Sequence, residues 1–209
     1  SITKRKLFFN GKEEDSLREL RTLLMPRKYN AVIKRLKKYN MNIGFTCLFY
    51  GAPGTGKTES TFQIARETGR NIMLVNISSL KSSYVGESEK NIKAVFARYK
   101  RLVKESSVAP ILLFNEADGV LNKRTSAGMN PSVEKMENTM QNIILQEMED
   151  LTGIMIATTN LTDNLDDAFE RRFLYKIEFE KPTPNESRHI WKSMLPELSD
   201  DEALTLAKS

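Results

Sequence analysis

Leu17, Leu20, Leu23 and Leu24 recur at the three- and four-residue spacing that stacks side chains on one helix face, which predicts an amphipathic helix over 14–25. Pro26 suits the first turn of the next helix, where its missing N–H costs little. Tyr29, Val32, Ile33 and Leu36 give that helix an apolar stripe with lysines and arginines around it. After Gly44 the pattern changes. Short apolar runs at Phe45–Tyr50, Ile72–Val75, Ile111–Phe114, Ile154–Ala157 and Leu174–Phe179 alternate with helical stretches near 57–68, 87–104 and 132–149. In the second stretch Ile92, Val95, Phe96, Tyr99, Leu102 and Val103 form one stripe. Such alternation predicts an α/β fold: a mostly parallel, five-stranded sheet covered by helices on both faces. From Pro182 the chain turns helical again, with Ile190, Trp191 and Met194 as its apolar side. Ser199 and Glu202 have capping-box spacing. The helix they open would run about two turns before Ser209, too short to stand without packing. The segment 182–209 therefore reads as the incomplete start of a further helical unit.

Composition narrows this picture mainly by exclusion. Of 209 residues, 40% are hydrophobic and 28% charged, the balance of a globular chain. The longest apolar runs, such as Ile111–Phe114, are four residues, which excludes a membrane-spanning helix and a signal-peptide core. One cysteine, Cys47, excludes an intrachain disulfide and a Cys-rich zinc site; one histidine, His189, argues against a His-based metal site. Without an export signal the expected compartment is the cytoplasm. The first residue is Ser1 rather than Met, so the start reads as processed or as a boundary within a longer chain.

Charge is unevenly placed. The net balance is +5, yet residues 1–40 hold 12 Lys and Arg against 4 Asp and Glu, and the rest hold 20 against 23. The basic excess belongs to the amino-terminal flank. It is either a solvated helix face or a contact for nucleic acid or another polyanion. The chain accordingly divides into a basic helical flank (1–44), an α/β core (45–181) and the incomplete helical segment (182–209).

The chemistry concentrates after the first strand. Gly51-Ala52-Pro53-Gly54-Thr55-Gly56-Lys57-Thr58 satisfies G-x-x-x-x-G-K-[ST], between an apolar strand and a helix that continues through Glu59. Glycines let the backbone curl so that successive N–H groups face phosphate oxygens, and the helix adds its positive dipole end. Lys57 would bring a cation to the β- and γ-phosphates, and Thr58 a hydroxyl for Mg2+. A phosphate loop needs acids at the end of a neighbouring strand. Ile111–Phe114 runs into Asn115-Glu116-Ala117-Asp118 where Asp-Glu is usual. Glu116 can polarise an attacking water as general base. Asn115 can hydrogen-bond a water on Mg2+ but supplies no charge.

With these motifs the chain resembles the AAA+ ATPases, in particular the AAA clade that includes katanin, spastin and the proteasomal and membrane-protease ATPases. Four motifs match in order across 46–182. The phosphate loop is similar to Walker A and the strand ending at Asn115-Glu116 to a variant Walker B. Tyr84-Val85-Gly86-Glu87-Ser88-Glu89 resembles the clade's pore loop, and the resemblance implies that Tyr84, seconded by Val85, grips an extended polypeptide in the channel of a hexameric ring. Ile156–Asn160 resembles the sensor 1 strand, implying that Asn160 is a neutral donor that orients the attacking water. Arg171 and Arg172 match the arginine fingers, which reach the neighbouring subunit's nucleotide; out of this context they would read as a surface charge pair. The implied fold is a three-layer αβα P-loop NTPase, the implied ligands ATP and Mg2+, and the implied partners further copies of the chain. Family members continue into a helical lid with a sensor 2 residue. Only its start would lie in 182–209, so adenine is expected to be incompletely covered.

The leading reading is thus an ATP-hydrolysing ring motor that remodels or threads proteins. Asn115 motivates an alternative, a nucleotide-dependent switch or scaffold with little hydrolysis. The basic flank motivates another, a DNA-directed loader, against which the Tyr84-Val85 loop argues. No membrane partner is expected.

Overall fold

The computed structural model describes residues 7–80, 87–123, 131–160 and 164–208. Tyr84 and Val85 lie outside the described residues. Five strands, β1 (Phe45–Gly51), β2 (Ile72–Asn76), β3 (Ile111–Asn115), β4 (Ile154–Thr159) and β5 (Tyr175–Phe179), pair in the order β2-β3-β4-β1-β5, every pair parallel. All five expected strands are present; β1 to β4 run one or two residues past their apolar runs, and β5 begins at Tyr175 and leaves Leu174 exposed.

Beyond a four-residue helix after β2, α4 (Ile77–Leu80), one face of the sheet packs on α5 (Glu87–Glu105) and α7 (Pro131–Glu149), with Leu112, Phe114, Met155 and Ala157 meeting Ile92, Phe96, Met140 and Ile144. The other face meets α3 (Lys57–Glu67) and α1 (Gly11–Leu24): Cys47, Phe49, Leu113 and Ile156 join Ile64, Leu17, Leu20 and Leu24. All of these are at least 90% buried, so leucines of the basic flank are part of the core. Burial pushes the Cys47 thiol far above the ordinary range for cysteine. The helix α1 starts three residues before the predicted position. The Asn10 side chain accepts from the Glu13 N–H at 2.9 Å and the Glu13 carboxylate accepts from the Asn10 N–H at 3.2 Å, a capping box that the leucine periodicity did not mark.

Pro26 opens α2 (Pro26–Lys38) as expected. Two buried polar heads tie this flank and α5 to the amino-terminal end of the sheet. Arg70, before β2, donates to the Leu24 carbonyl at 3.1 and 2.8 Å and to the Ala109 carbonyl, while its guanidinium stands 4.6 Å over the Tyr29 ring. The Tyr99 hydroxyl accepts from the Ile154 N–H at 2.7 Å, and its one proton lies between the Pro110 and Ile154 carbonyls, each 2.8 Å away. A Cβ on Gly153 would stand 2.3 Å from that hydroxyl, so no larger residue fits.

After β5 come α9 (Pro184–Met194), capped by a Thr183/Glu186 box, and α10 (Asp200–Lys208), opened by the predicted Ser199/Glu202 pair. The two helices pack on each other and bury Ala203. No helix among the described residues is long and apolar enough to cross a membrane.

Candidate functional site at the carboxyl edge of the sheet

Parallel strands send all their carboxyl ends to one edge, and there the chain gathers its polar motif residues. Between β1 and α3 the loop curls through Gly51, Gly54 and Gly56, at φ of 131°, 77° and 94°. Gly51 has no alternative: a Cβ there would lie 2.1 Å from the Phe179 carbonyl oxygen on β5. The turn delivers Lys57 to the start of α3, where its Nζ donates to the Gly51 and Ala52 carbonyls at 2.8 and 2.6 Å. Burial lowers the Lys57 pKa from its ordinary value, opposed by the field of Asp118.

Next to it, the Thr58 hydroxyl donates to Asn115 Oδ1 at 2.7 Å, and the Thr158 hydroxyl donates to the same oxygen at 3.1 Å. The carbonyl end of the amide thus faces both hydroxyls as their acceptor. Asn115 therefore offers these hydroxyls the acceptor that a carboxylate would, without the charge. Glu116 follows with its backbone in the left-handed region, at φ 53°, and its N–H donates to Thr158 Oγ1 at 3.1 Å. A short helix, α6 (Asp118–Leu121), then begins. The Asp118 carboxylate accepts from Asn160 N at 2.8 Å, from Asn160 Nδ2 at 3.1 Å and from the Thr159 hydroxyl.

Pro53, Gly54, Gly56, Lys57, Thr58, Glu59, Glu116 and Asn160 all line one cavity of about 430 Å3, with Phe62, Thr158 and Thr159. Most of the residues singled out from sequence thus converge on one space. The Glu59 carboxylate is paired with Arg66 on its own helix at 3.2 Å. Thr55 faces an adjoining cavity of about 850 Å3, which shares Gly54 and Gly56 with the first and is walled by Leu7, Phe9, Pro182, Ile190 and Met194. Sequence reasoning missed this second space, although the Leu7-Phe8-Phe9 triplet ahead of α1 was its visible signal.

Arg171 and Arg172 follow α8 (Asp167–Glu170) and line neither cavity. Arg171 is exposed. Arg172 is held within the chain: it pairs with Glu149 at the end of α7 and donates to the Ala168 carbonyl at 3.0 Å.

An Mg2+ ion fits this donor set. Thr58 spends its proton on Asn115 and keeps its oxygen lone pairs free, and oxygen donors on few side chains suit a hard ion that retains water. Among the described residues no group of three His, Cys, Asp or Glu side chains forms a metal cage.

Comparison with known proteins agrees with this architecture. Residues 47–181 match the family model described as "ATPase family associated with various cellular activities (AAA)". The chain is 30% identical over 172 residues to Fidgetin-like protein 1 of Drosophila melanogaster, covering 79% of this chain and 32% of that protein. It is 31% identical over 180 residues to the ATPase family gene 2 protein homolog B of Bos taurus, covering 84% and 22%. With the proteasome-associated ATPase of Thermobifida fusca it shares 33% over 171 residues, 72% of this chain and 28% of that one. The chain thus spans a third or less of these relatives. A chain in the structure of an E. coli MS115-1 HORMA:CdnC:Trip13 complex shares the fold, with a TM-score of 0.71 at 20% identity over 95% of this chain and 72% of that one. With an all-parallel sheet of this order and a family match over residues 47–181, well over half of its length, the chain belongs to the AAA family of ATPases.

Proposed function

We propose that this chain binds ATP with Mg2+ at the carboxyl edge of the sheet and hydrolyses it, as the motor part of a ring that acts on protein substrates. The observation that carries the reading is the convergence of Lys57, Thr58, Glu116 and Asn160 on one cavity, with Asn115 bonded to Thr58. In this reading the loop N–H groups cradle the phosphates, and Lys57 exchanges the Gly51 and Ala52 carbonyls for β- and γ-phosphate oxygens. Mg2+, held by Thr58 and through water by Asn115, would neutralise charge on those phosphates. Glu116 takes a proton from a water whose oxygen attacks the γ-phosphorus in line, and the bond to the β-bridging oxygen breaks to release ADP. The adjoining cavity takes the base against Leu7, Phe9 and Ile190, with α9 and α10 as the opening of a helical lid.

Arg171, exposed, is free to act on a neighbouring subunit's nucleotide, while the Glu149 pairing suits Arg172 to hold that segment in place. Tyr84 and Val85 remain the candidates to grip polypeptide, in a hexameric ring and a cytoplasmic setting. Glu116→Gln in the full-length protein should cut turnover on the order of a hundredfold or more while ATP still binds. Equal turnover by the variant would overturn the assignment of the base.

Asn115 supports a second reading, a nucleotide-dependent switch with little hydrolysis, because the acceptor between Thr58 and Thr158 is uncharged. Turnover that rises sharply in Asn115→Asp would favour it; near-equal turnover would remove its basis.

A further inference from the structure

We propose that Asp118 is a positioning residue for this chemistry: its carboxylate fixes the orientation of the Asn160 side-chain amide in front of the phosphate loop. The inference rests on the ATPase reading above and adds a residue to it. Pairing of β3 with β4 ends at Phe114 and Ala157. Beyond that point the two chains are joined by other means. Glu116 N–H donates to the Thr158 hydroxyl, and Ala117 N–H donates to the Thr158 carbonyl at 2.8 Å. Asp118 then replaces a third rung with its side chain, accepting from the Thr159 hydroxyl and from both the backbone and the side-chain nitrogen of Asn160.

The consequence is chemical. A carboxylate only accepts, so the edge of the Asn160 amide that faces Asp118 must be its NH2 group. One N–H is thereby consumed and the amide cannot flip. Its oxygen is left as the acceptor that can receive a hydrogen of the attacking water, and the second N–H remains to donate. Sequence analysis assigned Asn160 only as a donor; the carboxylate beside it makes the residue two-sided and sets which side is which. With Asn at 118 the partner could present either edge, and the amide would lose its enforced direction. Asp118 also acts by its field on Lys57, so a test must separate the two routes.

The test uses Asp118→Asn, Asn160→Ala and the double variant of the full-length protein, with steady-state ATP turnover and ATP-binding titrations. We expect Asp118→Asn to lower kcat on the order of 10- to 100-fold, the scale at which outer partners of reacting groups act, with KM unchanged. The double variant should be no slower than the slower single one. Multiplying losses would show that Asp118 acts independently of Asn160, through Lys57 or the fold, and would overturn the inference, as would an unchanged kcat. If Asp118→Asn fails to bind ATP, Asp118→Glu decides: it keeps the charge but moves the carboxylate, so reduced kcat with intact binding supports the inference and wild-type kcat overturns it. Absence of hydrolysis in the wild-type protein would instead sink the ATPase reading. The hold on Asn160 would then be read by NMR, as a slowly exchanging Asn160 side-chain amide proton that is lost in Asp118→Asn; rapid exchange in the wild-type chain would overturn it.

Discussion

At the amino-terminal end of the sheet, Arg70 and Tyr99 bury their polar heads against backbone carbonyls and a backbone N–H. At the carboxyl end, Lys57 buries its ammonium against two loop carbonyls that, in the proposed ATPase reading, a nucleotide would displace. Both ends satisfy the rule that buried polar atoms find partners. They differ in whether the partnership is final. The first end is a lock, and removing a member leaves stranded groups with nothing to replace it. The second is a set of placeholders, arranged so that one ligand can take over several bonds at once. In the proposed reading, two environments that both bury polar groups thus serve stability in one case and ligand exchange in the other.

That contrast breaks most visibly at Lys57. Lys57→Met should weaken ATP binding by about 3 kcal/mol, the scale for losing one partner of a buried charge contact. Its melting temperature should not fall, because a charge whose pKa is lowered by burial leaves with the side chain. Titration calorimetry beside a thermal melt reads both, and a variant that unfolds earlier would mean that the placeholders are structural after all. At the opposite end, Tyr99→Phe strands the Ile154 N–H and should cost about 2 kcal/mol of stability in a denaturant titration. ATP affinity, measured in parallel, should not move; a loss of affinity would show the two ends to be coupled. Asn115→Asp restores charge without disturbing either hydroxyl donor and should tighten Mg2+ on the order of tenfold in a metal titration of the nucleotide complex.

The smallest expected effect is a pH dependence at Lys57. Below its lowered pKa the lysine is charged in both folded and unfolded chains, and the folded one bears the burial cost. Between that pKa and the ordinary value of 10.5 the folded chain is neutral while the unfolded one is still charged. Stability of the ligand-free protein should therefore rise relative to Lys57→Met as pH climbs through that window, while ATP affinity falls. A difference between the two proteins that is flat up to 10.5 would contradict the assigned burial cost.

The legibility of the chain follows the same division. The five strands and the phosphate loop could be read because their signals are local: runs of apolar residues, and eight consecutive positions from Gly51 to Thr58. The start of α1 was placed late because capping at Asn10 and Glu13 lies outside the leucine stripe that marked the helix. Other features depend on residues brought together from afar. Asp118 stands beside Asn115-Glu116 in the sequence, but its partners at Thr159 and Asn160 come from another strand. Arg70 reads as one more surface cation until its bonds to Leu24 and Ala109 are seen. Arg171 and Arg172 match one motif together in the sequence, and only the pairing with Glu149 at the end of α7 separates a held side chain from an exposed one.

Glu116 carries a final consequence. Among the described residues, two other than glycine stand in the left-handed region at φ 53°, Asn40 and Glu116. A design campaign for heat resistance would mark both for replacement by glycine, each promising relief of about 1 kcal/mol. At Asn40, an exposed residue in the turn after α2, the exchange touches no residue of the candidate site. At Glu116 it removes the proposed base together with the strain. On the proposed reading, greater durability and a working reaction pull against each other at this position, and directed evolution under heat alone would select the wrong one.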